Sequence, residues 1–152
     1  MIEYTVKVYD DGHKVWYLNG ELHREDGPAK EWPDGSKEWY RNNQLHREDG
    51  PAVEMACGYK EWWINGKLHS EDRPARIYPN GDKFWLLNGK YHRVDGPALE
   101  YANGTKFWYL DGKELTEEEF NRRTRKHSIV IDGETIEISE ESYQKMKESL
   151  TS

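Results

Sequence analysis

Several things are scarce in this chain of 152 residues, and each scarcity removes a class of protein. A single cysteine, Cys57, excludes an intramolecular disulfide framework and any multi-cysteine zinc site. No run of about 18 apolar residues exists to cross a bilayer. The opening Met1-Ile-Glu-Tyr-Thr-Val-Lys7 does not show the basic-then-apolar pattern of a secretion signal, so the expectation is a soluble, cytoplasmic protein with no membrane partner. Positive charge is in deficit. The net charge of −7 argues against a long footprint on duplex nucleic acid. Hydrophobic residues reach only 35%, below the usual share of a globular domain. Aromatic residues offset that shortfall: at 13%, with seven Trp and ten Tyr, they are too many for a disordered chain. A thin, aromatic-rich core is expected instead of a thick aliphatic one.

The aromatics recur on a fixed period. Trp16, Trp39, Trp62, Trp85 and Trp108 are 23 residues apart, and so are Gly12, Gly35, Gly58, Gly81 and Gly104. His23, His46, His69 and His92 keep the same spacing, as do Asp26, Asp49, Asp72 and Asp95 and the Pro-Ala pairs that begin at Pro28, Pro51, Pro74 and Pro97. The best-kept unit reads D-G-x-K-x-W-Y-x-N-G-x-L-H-R-x-D-G-P-A. Four copies are complete and a fifth stops after Asp111-Gly112. A period in this range marks a repeat architecture in which each unit buries its face only against its neighbours.

The unit also carries its own secondary structure. Lys14–Leu18 is rich in strand formers and runs into Asn19-Gly20, a dipeptide suited to the positive φ angles of a tight hairpin turn. Asp26-Gly27-Pro28 is a second turn signal, Ala29–Trp32 a second strand, and Pro33–Ser36 a third turn into Lys37–Tyr40. Two short strands per repeat predict an all-β array, an antiparallel meander of stacked β-hairpins over residues 1–113. The tryptophans are expected to pack as a buried column. Alternation sends Tyr17, Tyr40, Trp63, Leu86 and Tyr109 to the opposite face, which is either covered by coiling of the sheet or a binding surface.

After Gly112 the composition changes. Thr116-Glu-Glu-Glu119 is a capping box that predicts a helix to about Lys126. Ser128–Ile138 alternates around Asp132-Gly133 as a hairpin, and Ser139–Leu150 reads as a helix with an acidic start. Residues 114–152 are therefore a small α+β element, either a cap on the array or an interaction element. At the other end the strand around Thr5–Tyr9 is uncapped and available to another copy of the chain, so a homo-oligomer is an open expectation.

Chemistry-bearing residues concentrate in the H-R-x-D segments: His23-Arg24-Glu25-Asp26, His46-Arg47-Glu48-Asp49, His92-Arg93-Val94-Asp95 and the variant His69-Ser70-Glu71-Asp72. A His–Asp pair is a base with its orienting group, but no Ser or Cys nucleophile recurs beside it, and an enzyme rarely needs four identical sites. One His per repeat makes a ladder, not a closed metal shell. The structural alternative has Asp capping turn amides and His bonding to the next repeat. Arg24, Arg47 and Arg93 are harder to assign to folding. As an exposed ladder beside aromatics they would hold phosphate, carboxylate or an acidic protein surface. The third copy departs, with Ser70 for the Arg and Arg73 for the usual Gly. Arg122–His127 is the one basic cluster, read as a solvated helix end. The candidate partner- or ligand-binding set is Tyr17, His23, Arg24, Tyr40, His46, Arg47, Trp63, His92 and Arg93, with no catalytic, metal or cofactor site expected.

The unit W-Y-x-N-G-x-L-H-R-x-D-G-P-A resembles the MORN-like repeats, in the variant form of bacterial and phage accessory proteins. The 23-residue period, the aromatic strand, the N-G turn and the following His and Gly carry the resemblance over about residues 10–113. Trp16-Tyr-Leu-Asn-Gly20 holds one residue more before the turn glycine, and His-Arg-x-Asp-Gly replaces a tighter His-Gly-x-Gly. Lipid binding of some MORN proteins is therefore not carried over. The resemblance implies a non-catalytic scaffold or protein-binding surface. In its narrowest form it implies a phage-type accessory protein that binds a host protein, a defence factor, in the host cytoplasm. The alternatives are a binder of a nucleotide or glycan and a cell-wall-binding module, since choline- and glucan-binding repeats share the W-Y and Asn/Gly turns. Those proteins are secreted, and their repeats carry no recurrent His-Arg-x-Asp.

Overall fold

The computed structural model describes residues 1–151 as a long antiparallel meander of hairpins followed by two short helices. The spine is a 12-stranded sheet. It begins with β1 (Thr5–Val8), paired to β2 (Lys14–Leu18), which pairs in turn with β3 (Glu21–Leu22) and β4 (Lys30–Glu31). The pattern continues through β5 (Lys37–Glu38) and β8 (Val53–Glu54), while β6 (Tyr40–Arg41) and β7 (Gln44–Leu45) form a separate side hairpin. The later repeats copy this plan, with side hairpins at Trp63–Leu68 and Leu86–Tyr91.

The expected strand Lys37–Tyr40 is thus two strands, and the break falls on the repeat tryptophan. Trp39 N–H donates to Ala52 O at 2.8 Å, within the spine, but Trp39 O accepts from His46 N–H at 3.0 Å, within the side hairpin. The backbone turns a corner at that residue. Trp62 and Trp85 make the same two bonds, to Ala75 and His69 and to Ala98 and His92. Only the outer copies, Lys14–Leu18 and Lys106–Leu110, run through the corner as one strand.

The turns follow their residues closely. Asn19 (φ 52°) and Gly20 (φ 82°) take the left-handed conformation that a two-residue hairpin turn needs, and Asn42, Asn65, Asn88 and Asp111 take it at the equivalent place. The second repeat has Asn43 where the others have Gly. Its φ of 63° is compensated by a bond, since Asn43 Oδ1 accepts from Leu22 N–H at 2.7 Å.

The core is thin and is not a tryptophan column. The residues at 0% exposure are Ala29, Ala52, Ala75 and Ala98, with Val15, Val53, Leu68, Phe84, Leu86 and Leu99 also buried. All five repeat tryptophans are half-buried. Trp63, Leu86 and Tyr109, from the opposite column, belong to the core, against Tyr78, Tyr91 and Tyr101. That column is unevenly covered: Leu86 is buried, while Tyr17, Tyr40, Trp63 and Tyr109 are half-buried like the repeat tryptophans.

At the C-terminal end, α1 (Glu117–Thr124) starts from a complete capping box on Thr116 and buries Phe120 against the last strands of the array. It ends at Thr124, short of Lys126, because Arg125 is already extended (ψ 135°) and Lys126 opens the hairpin Lys126–Ile131/Glu134–Ser139. The final helix, α2 (Glu140–Thr151), lies beside that hairpin, with Tyr143 stacked on His127 at 3.8 Å. No helix among the described residues is long and apolar enough to cross a membrane.

Candidate functional site

The H-R-x-D loops stand in a row along one side of the spine, with a groove between each pair. The first groove, about 580 Å³, is lined by Arg24–Pro28 of one loop and by Trp39, Tyr40, Arg41 and His46–Asp49 of the next repeat. The second, about 600 Å³, lies between Arg47–Gly50 and a wall of Trp62, Ile64 and His69–Arg73. A third, about 180 Å³, lies between Ser70–Asp72 and Trp85, Leu87 and His92–Asp95.

The histidines tie the repeats together. Nδ1 of His23 accepts the N–H of Asn42 at 3.1 Å, and Nδ1 of His46, His69 and His92 accepts the N–H of Asn65, Asn88 and Asp111 at 3.0 Å each. Each His thus satisfies the first amide of the next repeat's turn. His23 and His46 are 6% and 8% exposed, too buried to meet a substrate.

The arginines are not an exposed ladder. Arg24, Arg47 and Arg93 side chains are 20%, 21% and 20% exposed, and each lies over the tryptophan of its own repeat. The guanidinium carbon is 4.2 Å from the ring centre of Trp16, 3.8 Å from Trp39 and 3.8 Å from Trp85. Nε of Arg47 donates to Asp49 at 2.9 Å, while Nη1 donates to Pro51 O at 3.0 Å and to Glu54 at 2.9 Å. Arg24 makes the same three bonds to Asp26, Pro28 O and Glu31, and Arg93 makes them to Asp95, Pro97 O and Glu100. The loop aspartates therefore accept from arginine, in place of the turn-amide capping of the structural alternative. Arg47 holds the Asp49 carboxyl below its ordinary range, and Arg93 does so for Asp95, through the hydrogen bond first and charge second.

This geometry also explains the glycine before the proline. Gly27, Gly50 and Gly96 have ordinary φ angles, so backbone freedom is not their purpose. A Cβ at Gly50 or Gly96 would stand 2.9 Å from the arginine Cζ, and at Gly27 3.1 Å. The glycine is the space into which the guanidinium packs. The third repeat loses the whole set at once: Ser70 replaces Arg, Arg73 replaces Gly and Ile77 replaces Glu. With no guanidinium to accommodate, position 73 is free to carry a side chain, and Arg73 turns to Asp72 at 3.0 and 3.1 Å. This repeat has its own buried network instead. Glu61, 8% exposed, accepts from Arg76 Nε at 2.7 Å, from Trp63 Nε1 at 2.8 Å and from the Tyr59 hydroxyl. Burial, then the bond to Glu61, raises the Tyr59 phenol above its ordinary range.

With Arg24, Arg47 and Arg93 turned inward, carboxylates outnumber the exposed cations of the grooves, Arg41 and Arg73. Side chains of Glu25, Asp26, Glu48, Asp49, Glu71, Asp72 and Asp95 are between 54% and 86% exposed. Of the candidate residues, Tyr40 reaches the first groove beside Arg24, His46 and Arg47, while His92 and Arg93 lie along the third. Tyr17 sits under Lys7 (5.0 Å), Tyr40 under Lys30 (4.9 Å), and Trp63 packs with the core, so these side chains do not converge on one site. Glu31, Glu54 and Glu100 were missed from sequence, although each stands seven positions after its arginine and their 23-residue spacing was there to read. Compared with known proteins, the chain matches no family model and no curated protein.

Proposed function

We propose that this chain is a non-catalytic scaffold of the MORN-like kind, whose row of H-R-x-D loops binds a protein partner. The observation that carries the reading is the recurrence of one groove between consecutive loops, each rimmed by outward carboxylates and floored by a half-buried tryptophan. A periodic surface of shallow grooves fits an extended protein contact better than a single small molecule. The histidines and most of the loop arginines are taken up by bonds within and between repeats, which supports scaffolding over catalysis. With the carboxylates outward on a chain of net charge −7, the partner presents a basic surface. In the narrowest form of this reading the partner is a host protein, a defence factor restrained by a phage-type accessory protein in the host cytoplasm.

The test is capture from bacterial lysate by the immobilised chain, beside a variant with Glu25→Gln, Glu48→Gln and Glu71→Gln. These side chains are exposed, so the variant is expected to unfold at the wild-type temperature. One protein retained at near-equal stoichiometry, released by salt and lost from the variant, is the expected result. Equal retention by the variant overturns the placement on the loop face. Retention of nothing, with quenching of Trp fluorescence by a nucleotide or glycan, turns the reading to a small ligand.

A further inference from the structure

The third repeat is the one complete copy whose tryptophan has no arginine of its own. In the other three, a guanidinium lies 3.8–4.2 Å from the ring centre and donates Nη1 to the carbonyl of the loop proline. The array therefore shows three times which chemical group lies on this tryptophan face, each time with a glutamate acceptor for which the third repeat has Ile77. Trp62 forms part of a groove of about 600 Å³, and Ser70, with its short side chain, stands where the arginine would begin. Pro74 holds the place of the accepting carbonyls, and Asp72 that of the accepting carboxylates. Glu48, Asp49, Glu71 and Asp72 line the same groove. Neither of its arginines lies on Trp62: Arg47 is held by Trp39, Asp49, Pro51 O and Glu54, and Arg73 is paired with Asp72 at the rim of the groove.

The geometry points to the face of Trp62 as a binding seat for an arginine side chain of a partner protein, which takes the place of the repeat arginine that Ser70 replaces. The seat deepens the protein-binding reading by giving the chemistry of one anchor residue, and it rests on that reading for its biological partner. A planar guanidinium covers the ring face and donates to the Pro74 carbonyl at once, whereas an ammonium meets them only as a point charge. Arg73 guards the rim, because its pairing with Asp72 must open before Asp72 can accept from the incoming side chain.

The experiment uses the full chain with labelled Trp indoles, titrated with N-acetyl-arginine methylamide and, as a neutral control, N-acetyl-glutamine methylamide. Trp62→Phe assigns the indole resonance. The expected result is a saturable shift at Trp62 in the millimolar range with the arginine probe alone. Binding weakens roughly tenfold or more in Ser70→Arg/Arg73→Gly, which rebuilds the consensus arginine over the ring. Arg73→Gly alone tightens it. Equal shifts at Trp16, Trp39 and Trp85, or an equal response to the neutral probe, overturns the seat on wild-type protein alone, whether or not the double variant folds. A partner captured equally by wild type and double variant overturns the seat and leaves the scaffold reading standing. A Trp62-specific shift with no protein retained from lysate does the reverse.

Discussion

Substituting Gly50 by Ala should be costly in the wild-type chain and nearly free once Arg47 is gone. Arg47 stacks on Trp39 at 3.8 Å and bonds Pro51 O and Glu54. Stacking on a half-buried ring is worth about 1 kcal/mol, and each bond adds about 1 kcal/mol. The Glu54 share is discounted because that side chain is 36% exposed, and the pair to Asp49, 86% exposed, adds little. Arg47→Ala should therefore cost about 2–3 kcal/mol. A methyl group on Gly50 would lie 2.9 Å from Cζ and 3.1 Å from Nε. Although the end of an arginine is flexible, this one is held on four sides, and pushing it off forfeits about 1–2 kcal/mol of those contacts. Arg47→Ala/Gly50→Ala should then resemble Arg47→Ala alone, a coupling of about 1–2 kcal/mol where independent sites would add. Urea unfolding, followed in parallel by Trp fluorescence and circular dichroism, measures all four corners of the cycle. Additive losses, or a Gly50→Ala as stable as wild type, would refute the claim that this glycine exists to admit the guanidinium.

Three further outcomes follow from the same network. Glu61→Gln keeps the shape but removes the buried charge facing Arg76, and should cost about 3 kcal/mol in urea unfolding; a loss under a few tenths would mean that solvent already screens the pair. His46→Leu removes the acceptor for Asn65 N–H, so it should destabilise by about 1–3 kcal/mol and speed hydrogen exchange at the Asn65 amide before other turn amides. The lowered Asp95 carboxyl contributes stability that is present above its unfolded pKa of about 3.9 and is lost as pH falls through the still lower folded value. The stability gap between wild type and Arg93→Ala should therefore be constant above about pH 5 and narrow below about pH 4. A gap that widens in acid would mean that Arg93 acts through something other than carboxylates.

The repeat, its hairpins and the terminal α+β element were legible because period, turn dipeptides and capping boxes are local signals. Asn19-Gly20 and Thr116–Glu119 act through their own backbone, and both appear as read. What the sequence hid was the direction of each side chain at the Trp corner. Strict alternation assigns Trp39 and Tyr40 to opposite faces of one strand, but the chain leaves the spine at Trp39, so Tyr40 begins a side hairpin and the Trp is met by arginine. Burial of Arg24, Arg47 and Arg93 was hidden for a related reason. Arginine is ordinarily a surface residue, and only the combined Arg, Gly and Glu columns, broken together in the third repeat, betray its internal partners.

The bonds that join the repeats reach across a fixed distance along the chain, 19 residues from each histidine to its amide. Nothing in them depends on how many units precede or follow. Loss or duplication of one 23-residue stretch, cut at matching places, would restore the same bonds between new neighbours. Gain or loss of whole units would therefore keep the joins between repeats intact. Such an array can be lengthened or trimmed by whole units while each loop changes independently of the others, as the different residues of the third show.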